Sequence, residues 1–315
     1  MAVTTQTSTI LTNLPKTAYD RKLLERALPL LVHGNWAMMA TVSQGMKSLE
    51  KRRHERLTIS NTPEATYSTG VKLTEGTTPP DSVDPANPTV VILTPDFFGA
   101  FMQLADYLVA VSIDDIKAEY TELLGDHSGT SLDRITRNAL IAGTNILYAG
   151  TATSVATVAP ADLLAYNEIL DVRRTMMNGN VKMIGGVYYA VISPESWQTL
   201  HLDPDVRNRV IMTEDKAFNT GNVPEIAGIR FVITSEAYRQ AGALTTVHHS
   251  LFFGQDAYCI AKHAAQPLET ITKGFGSSGT ADPLDQRMTL GWKASRAVSI
   301  LNQNFFVQLR HAVNT

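Results

Sequence analysis

Cys259 and His263 stand four residues apart in AYCIAKH, a spacing that places a thiol and an imidazole on one face of a strand. Two such groups are half of a zinc site, and a metal ion needs more ligands than these two supply. His248 and His249 are adjacent, so on a strand they point to opposite faces and do not converge on one ion or substrate. HERLT, residues 54–58, begins like the zinc-protease pattern His-Glu-x-x-His, but Thr58 stands where the second histidine belongs. GFGSSG, residues 274–279, is glycine-rich; it lacks the Gly-Lys-Ser/Thr ending of a phosphate loop and no helix follows, so it reads as a flexible turn. No Gly-x-Ser-x-Gly nucleophile elbow occurs. A soluble metal-dependent hydrolase built on His248, Cys259 and His263 is the one enzymatic reading these residues allow. The expectation is that the chain is not an enzyme and carries no metal or cofactor.

Charge is the other chemistry available. Lys47, Lys51, Arg52, Arg53 and Arg56 cluster with Glu50 and Glu55 among them, either as a solvated face or as an intermolecular salt-bridge surface. The chain as a whole has 27 basic and 30 acidic residues, a net charge of −3, which is not the basic excess of a protein that grips nucleic acid. At 315 residues, 44% hydrophobic and 18% charged, it can bury one large core or two modest ones. The single cysteine excludes an intrachain disulfide and fits a reducing compartment. The first fifteen residues lack a basic start followed by an apolar run, and the longest uncharged stretch, 138–161, is rich in Thr, Gly and Ala. Neither a secretory signal nor a membrane span is expected, and synthesis in the cytoplasm is the reading.

The elements that must position these groups are of two kinds. Residues 1–18 are Thr-rich and aperiodic, the composition of an extended arm, and helical spacing returns from Ala18 to Val32 with Pro29 breaking it. Six prolines fall between Pro63 and Pro95, so this stretch forms no helix; a two-legged excursion fits, with Leu57–Ile59 and Val90–Leu93 in its legs. A helix capped by Ser112 and Asp115 carries Ile113, Ile116, Tyr120, Leu123 and Leu124 inward; residues 125–130 interrupt it. Leu132, Ile135, Ala139, Leu140, Gly143, Ile146 and Leu147 give the cleanest helical face in the chain, and a third helix from Pro160 places Leu163, Tyr166, Leu170 and Met177 inward. Beyond it the pattern turns to strands: VYYAVI, IRFVIT, SLFFG, AYCIAKH, then Leu290–Ile300 and Phe305–Leu309, with one short helix begun by Ser193-Pro194. The fold class is α+β with one extended arm and one extended hairpin.

Five stretches resemble a known family in order along the chain. LTEGTTP (73–79), SLDRITRNALIAGTNILYAG (131–150), VYYAVISPESWQTL (187–200), EIAGIRFVIT (225–234) and DPLDQRMTLGWKASRAVSILN (282–302) are similar to tailed-bacteriophage major capsid proteins, the coat family typified by the podophage N-four. Pro224 and Ala227 depart from that pattern, at positions where a looser residue or glycine is expected.

The resemblance implies a Hong Kong 97-type fold divided into an N-terminal arm (1–40), an extended hairpin loop (41–100), a peripheral domain with a long spine helix (101–185), an axial domain (186–261) and a return to the peripheral domain (262–315). It implies self-assembly through hexamers and pentamers, with a scaffolding protein, a portal and a possible decoration protein as partners, packaged double-stranded DNA held without sequence-specific contacts, and no membrane. The location implied is the virion, after assembly in the host cytoplasm. Assembly contacts are expected at Lys51, Arg52, Arg53, Glu75, Asp282, Asp285, Lys293 and Arg296, with Trp292 in the core and the 280–302 segment returning beneath the spine helix. An encapsulin-like nanocompartment shares the same fold expectation. A weakly acidic coat suits a container, since strongly basic walls bind DNA and hinder its release.

Overall fold

The computed structural model describes residues 31–54, 75–76, 88–112, 115–213, 225–277 and 282–314. The chain begins with strands β1 (Met38–Val42), β2 (Leu49–Arg53), β3 (Thr89–Leu93) and β4 (Asp96–Ala105), then helices α1 (Asp106–Val111) and α2 (Ile116–Ile141). Strand β5 (Ile146–Tyr148), helix α3 (Tyr166–Asn178), strand β6 (Tyr188–Ile192) and helices α4 (Pro194–Leu202) and α5 (Pro204–Thr213) follow. The remainder is strand: β7 (Glu225–Ile226), β8 (Ile229–Ile233), β9 (Arg239–Ala241), β10 (Thr246–Phe253), β11 (Tyr258–His263), β12 (Glu269–Lys273), β13 (Arg287–Ile300) and β14 (Phe306–His311).

Strand β13 organises the first sheet. It pairs antiparallel with β4 over ten residues, from Arg287↔Ala105 to Arg296↔Asp96, with β12 on its other side, and with β11 at its far end, where β1 adds in parallel. Period-two alternation sends Met288, Leu290, Trp292 and Ala294 to one face, where they meet Leu124 and Leu132 of α2. Within its described residues, 282–302, this segment thus places β13 against the long helix with Trp292 in the core, as expected. The second sheet has the order β5-β14-β10-β6-β8-β7, with β9 on β10. Ile169, Val172 and Met176 of α3, Leu200 of α4 and Val206 of α5 cover it, against Tyr188, Phe231, Phe252 and Val307. A third cluster, with Leu140, Val191, Phe253, Tyr258 and Phe306, joins the two halves.

The long helix differs from its sequence reading in three ways. It runs unbroken through 125–130, because Gly125, Ser128 and Gly129 are buried on the same face as Leu124 and Leu132. That burial offsets the roughly 1 kcal/mol each helical glycine costs. Its cap is Asp115, whose carboxylate accepts from the Ala118 N–H, whereas Ser112 closes α1 instead. It ends at Ile141, so Ile146 and Leu147 belong to β5, which runs parallel to β14. Gly143 therefore sits just past the helix. A Cβ there would lie 2.8 Å from Phe306 Cε1 and 3.1 Å from both Ile300 Cδ1 and the Leu140 carbonyl oxygen, so what other elements bring to it is side chain, and the close backbone is that of the helix's own last turn.

Helix α3 begins at Tyr166 rather than Pro160, with Ile169, Val172 and Met176 inward; Leu170 and Met177 are exposed. Ser193 caps α4 by accepting from the Ser196 N–H, ahead of Pro194. The hairpin's described legs are β2 and β3, registered from Leu49↔Leu93 to Arg53↔Thr89; Leu57–Ile59 and the arm at 1–30 lie outside the described residues. The segment boundaries inferred above do not follow the sheets. Strand β14 lies in the second sheet though it falls within 262–315, β11 lies in the first though it falls mostly within 186–261, and α3 covers the second though it falls within 101–185.

Ala227 and Gly228 make the turn between β7 and β8 with φ of 53° and 74°. A left-handed alanine costs about 1–2 kcal/mol and glycine's extra chain entropy returns about half of that. Ala227→Gly is accordingly expected to raise the melting temperature by about 2 °C. An unchanged or lower melting temperature rejects strain at this turn.

Candidate assembly surfaces

Strand β2 carries the basic cluster, and alternation splits it. Arg52 points out beside Glu50, their side chains 2.6 Å apart in solvent. Lys51 and Arg53 face the other way, where Arg53 Nη1 donates to the Leu301 carbonyl at 2.7 Å. With His54, Asn178, Asn180, Asn302 and Asn304 they line a polar groove with a cavity volume of about 630 Å³. Glu75 is exposed in a turn beside Gly76, whose φ is 78°. Beneath the ribbon, Leu49, Val91 and Leu93 pack on Cys259 and Ala261. Burial pushes the Cys259 thiol up, which keeps it neutral and inert.

The acidic turn before β13 is held from within. Asp282 is buried, and its Oδ2 accepts from the Arg287 N–H at 2.8 Å. Asp285, at φ 53°, is exposed at the tip beside Leu284. Lys293 lies on the open face of the sheet with its ammonium 5.2 Å from the Phe97 ring centre. Arg296 does not reach the surface: it is 4% exposed, and its Nε has no hydrogen-bond partner.

Arg296 belongs to a buried polar cluster that no motif in the sequence announces. Asp133 of α2 accepts from the His33 N–H at 2.8 Å and pairs with His33 Nδ1 at 2.6 Å, both side chains wholly buried. The Tyr258 hydroxyl donates to the His33 carbonyl. Burial lowers the Arg296 pKa, and Asp133 and Tyr258 act against that. The cue was present, since Asp133 follows Leu132 on the helix's buried face, where an unpaired carboxylate is not tolerated.

His248 and His249 do point to opposite sides of β10. His248 Nδ1 meets Ser193 Oγ at 2.9 Å and its ring stacks on His311, 6.1 Å between centres. His249 Nδ1 meets Gln308 Nε2 at 2.6 Å, and Tyr238 packs edge-on against its ring. His311 Nδ1 lies 2.8 Å from the Ala312 carbonyl, which requires an N–H there; Nε2 then accepts from Ser250 at 2.8 Å. Desolvation first, then Arg310 and the neighbouring imidazoles, pull His249 down to about 3; desolvation pulls His311 down to about 4. Glu195 partly holds up His248, which is nonetheless lowered by its own burial. Among the described residues no group of three or more His, Cys, Asp or Glu stands close enough to share a metal ion, and no helix is long and apolar enough to cross a membrane.

The surface also carries unburied apolar groups close together in sequence. Phe97 and Phe101 project from the outer face of β4, and Tyr107, Leu108 and Val111 of α1 are all exposed. Over 19,000 Å² of surface leaves room for scattered apolar residues, but a short helix with no buried residue, following directly on a strand with two open phenylalanines, concentrates exposed apolar groups in one stretch of chain.

No protein-family model and no curated protein matches the chain. Solved structures do. The capsid of the cyanophage P-SCSP1u superposes with a TM-score of 0.64 at 17% identity, covering 90% of this chain and 89% of that one. The capsid of Ralstonia phage GP4 gives 0.65 at 14%, covering 89% and 87%, and the mature capsid of bacteriophage PhiM1 gives 0.63 at 14%, covering 89% and 86%. The chain has the Hong Kong 97-type capsid fold.

Two outcomes test the polar interior of this capsid fold. Asp133→Ala leaves His33 without its carboxylate and is expected to cost about 3–5 kcal/mol, whereas Arg296, which makes no ion pair with Asp133 among the described residues, is expected to cost nothing when replaced by Met. Denaturant unfolding of both variants decides it; equal losses would show that Arg296 is a full partner of Asp133. The second concerns acid. Folded His249 and His311 bind protons less readily than in the unfolded chain, so their stability is whole above about pH 6.5 and is lost as pH falls toward 4. The denaturation midpoint should drop between pH 7 and 4.5, with a shallower slope in His249→Gln. An equal slope in both proteins excludes His249 as a source.

Proposed function

We propose that the chain is the major capsid protein of a tailed bacteriophage and assembles into an icosahedral shell around double-stranded DNA. The observation that carries the reading is full-length agreement of fold, about nine-tenths of both chains, with the shells of several phages. The role is structural rather than enzymatic. The active location is the virion, reached from the host cytoplasm, with the chain's own copies in hexamers and pentamers as first partners. A scaffolding protein, a portal, a possible decoration protein and the packaged DNA complete the set.

The proposed division keeps an arm at 1–40 and a hairpin at 41–100, with a peripheral unit around α2 and β13 and an axial unit around the second sheet. Lys51, Arg52, Arg53, Glu75, Asp285 and Lys293 are proposed as contacts between copies. Asp282 and Arg296 serve their own subunit, the first as the brace of a turn and the second inside the core. A cargo-holding compartment has less support, since the virus-like particle of Pyrococcus furiosus superposes with a TM-score of 0.53 at 11% identity.

Electron microscopy of the purified chain, alone and with a scaffolding partner, is expected to show closed shells. A variant with residues 60–88 replaced by a short Gly-Ser turn is expected to keep its circular-dichroism spectrum and form none, because a repeated weak contact is lost at every copy. A strictly monomeric wild type, or normal shells from the shortened chain, counts against the reading.

A further inference from the structure

Helix α1 is six residues long, Asp-Tyr-Leu-Val-Ala-Val, and none of them is buried. An isolated helix shorter than about 12 residues is marginal in water, so one that exposes its apolar side chains calls for a cover. Tyr107 is 76% exposed and Val111 62%. Directly before it in the chain, the outer face of β4 forms a groove with β13 and β12. Its walls are Phe97, Phe101 and Ile271, with Phe101 68% exposed, and its volume is about 560 Å³. Its floor is bare backbone. A Cβ at Gly99 would lie 2.7 Å from the Trp292 carbonyl oxygen, and one at Gly291 would lie 3.0 Å from that of Ala100.

We propose that α1 of one copy docks in this groove of a neighbouring copy, with Tyr107, Leu108 and Val111 on the glycine floor and Asp106 directed at Lys273. The inference rests on the shell reading and names a contact that such a shell uses. Three observations select this occupant. Phe97 and Phe101 are four residues apart on one strand, roughly 13 Å, which admits the roughly 9 Å length of a six-residue helix. Both surfaces are open in the same subunit, so α1 does not fill its own groove. Charge agrees as well: Asp106 is exposed, and neither Lys273 nor Lys293 forms an ion pair among the described residues. Glu269 stands across from Lys293, whereas the residue across from Lys273 is Thr289, so Lys273 is the end that takes a carboxylate. Each copy has one helix and one groove, so the contact runs head to tail and repeats around a closed assembly.

The test uses the full chain with Cys259→Ala, which removes the one native thiol. Chains carrying Leu108→Cys are mixed with chains carrying Ile271→Cys, assembled and oxidised. Covalent heterodimers are expected from shells and not from dilute unassembled subunits. Separately, Tyr107→Ser with Leu108→Asp is expected to keep the circular-dichroism spectrum and lower shell yield at least about tenfold, the usual effect of removing a central apolar anchor. Asp106→Lys and Lys273→Asp should each lower the yield and together restore it. Shells assembled from the two cysteine variants that oxidise without the cross-link, or full assembly by the polar α1 variant, overturn the docking and leave the shell reading intact. A cross-link from Ile271→Cys to Thr74→Cys in place of Leu108→Cys gives the groove to the hairpin and also overturns it. A wild type that never assembles overturns both.

Discussion

The structure depends on the union of one strand and one helix. Strand β13 is hydrogen-bonded to β4 along ten residues on one edge, to β12 on the other edge and to β11 at its far end, and its inward residues lie against α2. Trp292 is the centre of that contact. Its indole buries apolar area between sheet and helix, and its Nε1–H donates to His127 Nδ1 at 3.1 Å, so the polar end of the ring is not stranded. Because β13 is contributed from the far end of the chain, the helix and the ribbon root are fixed only when the last quarter of the sequence has come home. A long-range pairing of this kind is slow to form and places the hairpin only after the core exists.

How much of this was legible depended on whether local pattern and tertiary burial agreed. They agreed at Ser193-Pro194, where a cap and a first-turn proline begin α4, and in the alternation of 288–294, where every second residue is apolar. They disagreed at 125–130, where glycine and serine look like a loop but are small residues on a buried helical face. At 146–147 an i, i+3 apolar spacing was compatible with helix or strand, and Gly143 against the Phe306 ring decided for a turn. The chain's order of contacts was harder still. Nothing in β14 or β11 alone says that the first belongs to the seven-stranded sheet and the second to the other.

The charged candidates separate along the same line. A sequence can show that Lys51, Arg52, Lys293 and Arg296 are charged but not which of them water reaches. Arg296 faces α2 because it lies in phase with Trp292 and Ala294 on β13, and that phase was readable. Its burial was not readable, because an arginine at that position could as easily have extended past the sheet's edge. His33 and Asp133, a hundred residues apart, form a wholly buried pair 2.6 Å apart, and only the fold brings them together.

The polar interior and the apolar exterior are two sides of one constraint. A subunit whose stability came wholly from its own core would have little reason to bury polar groups such as His249, His311 and Arg296, each of which costs desolvation. It would have as little reason to leave Phe101 and Tyr107 in water. In this chain the buried imidazoles of His33, His248, His249 and His311 are each held by a hydrogen bond, which favours one arrangement of helix and sheet over neighbouring ones without adding much stability. The exposed aromatic groups leave burial energy unused in the single subunit, energy that a covering surface would recover. On the proposed shell reading, that energy would be recovered at contacts between copies, where a small gain per contact is repeated many times.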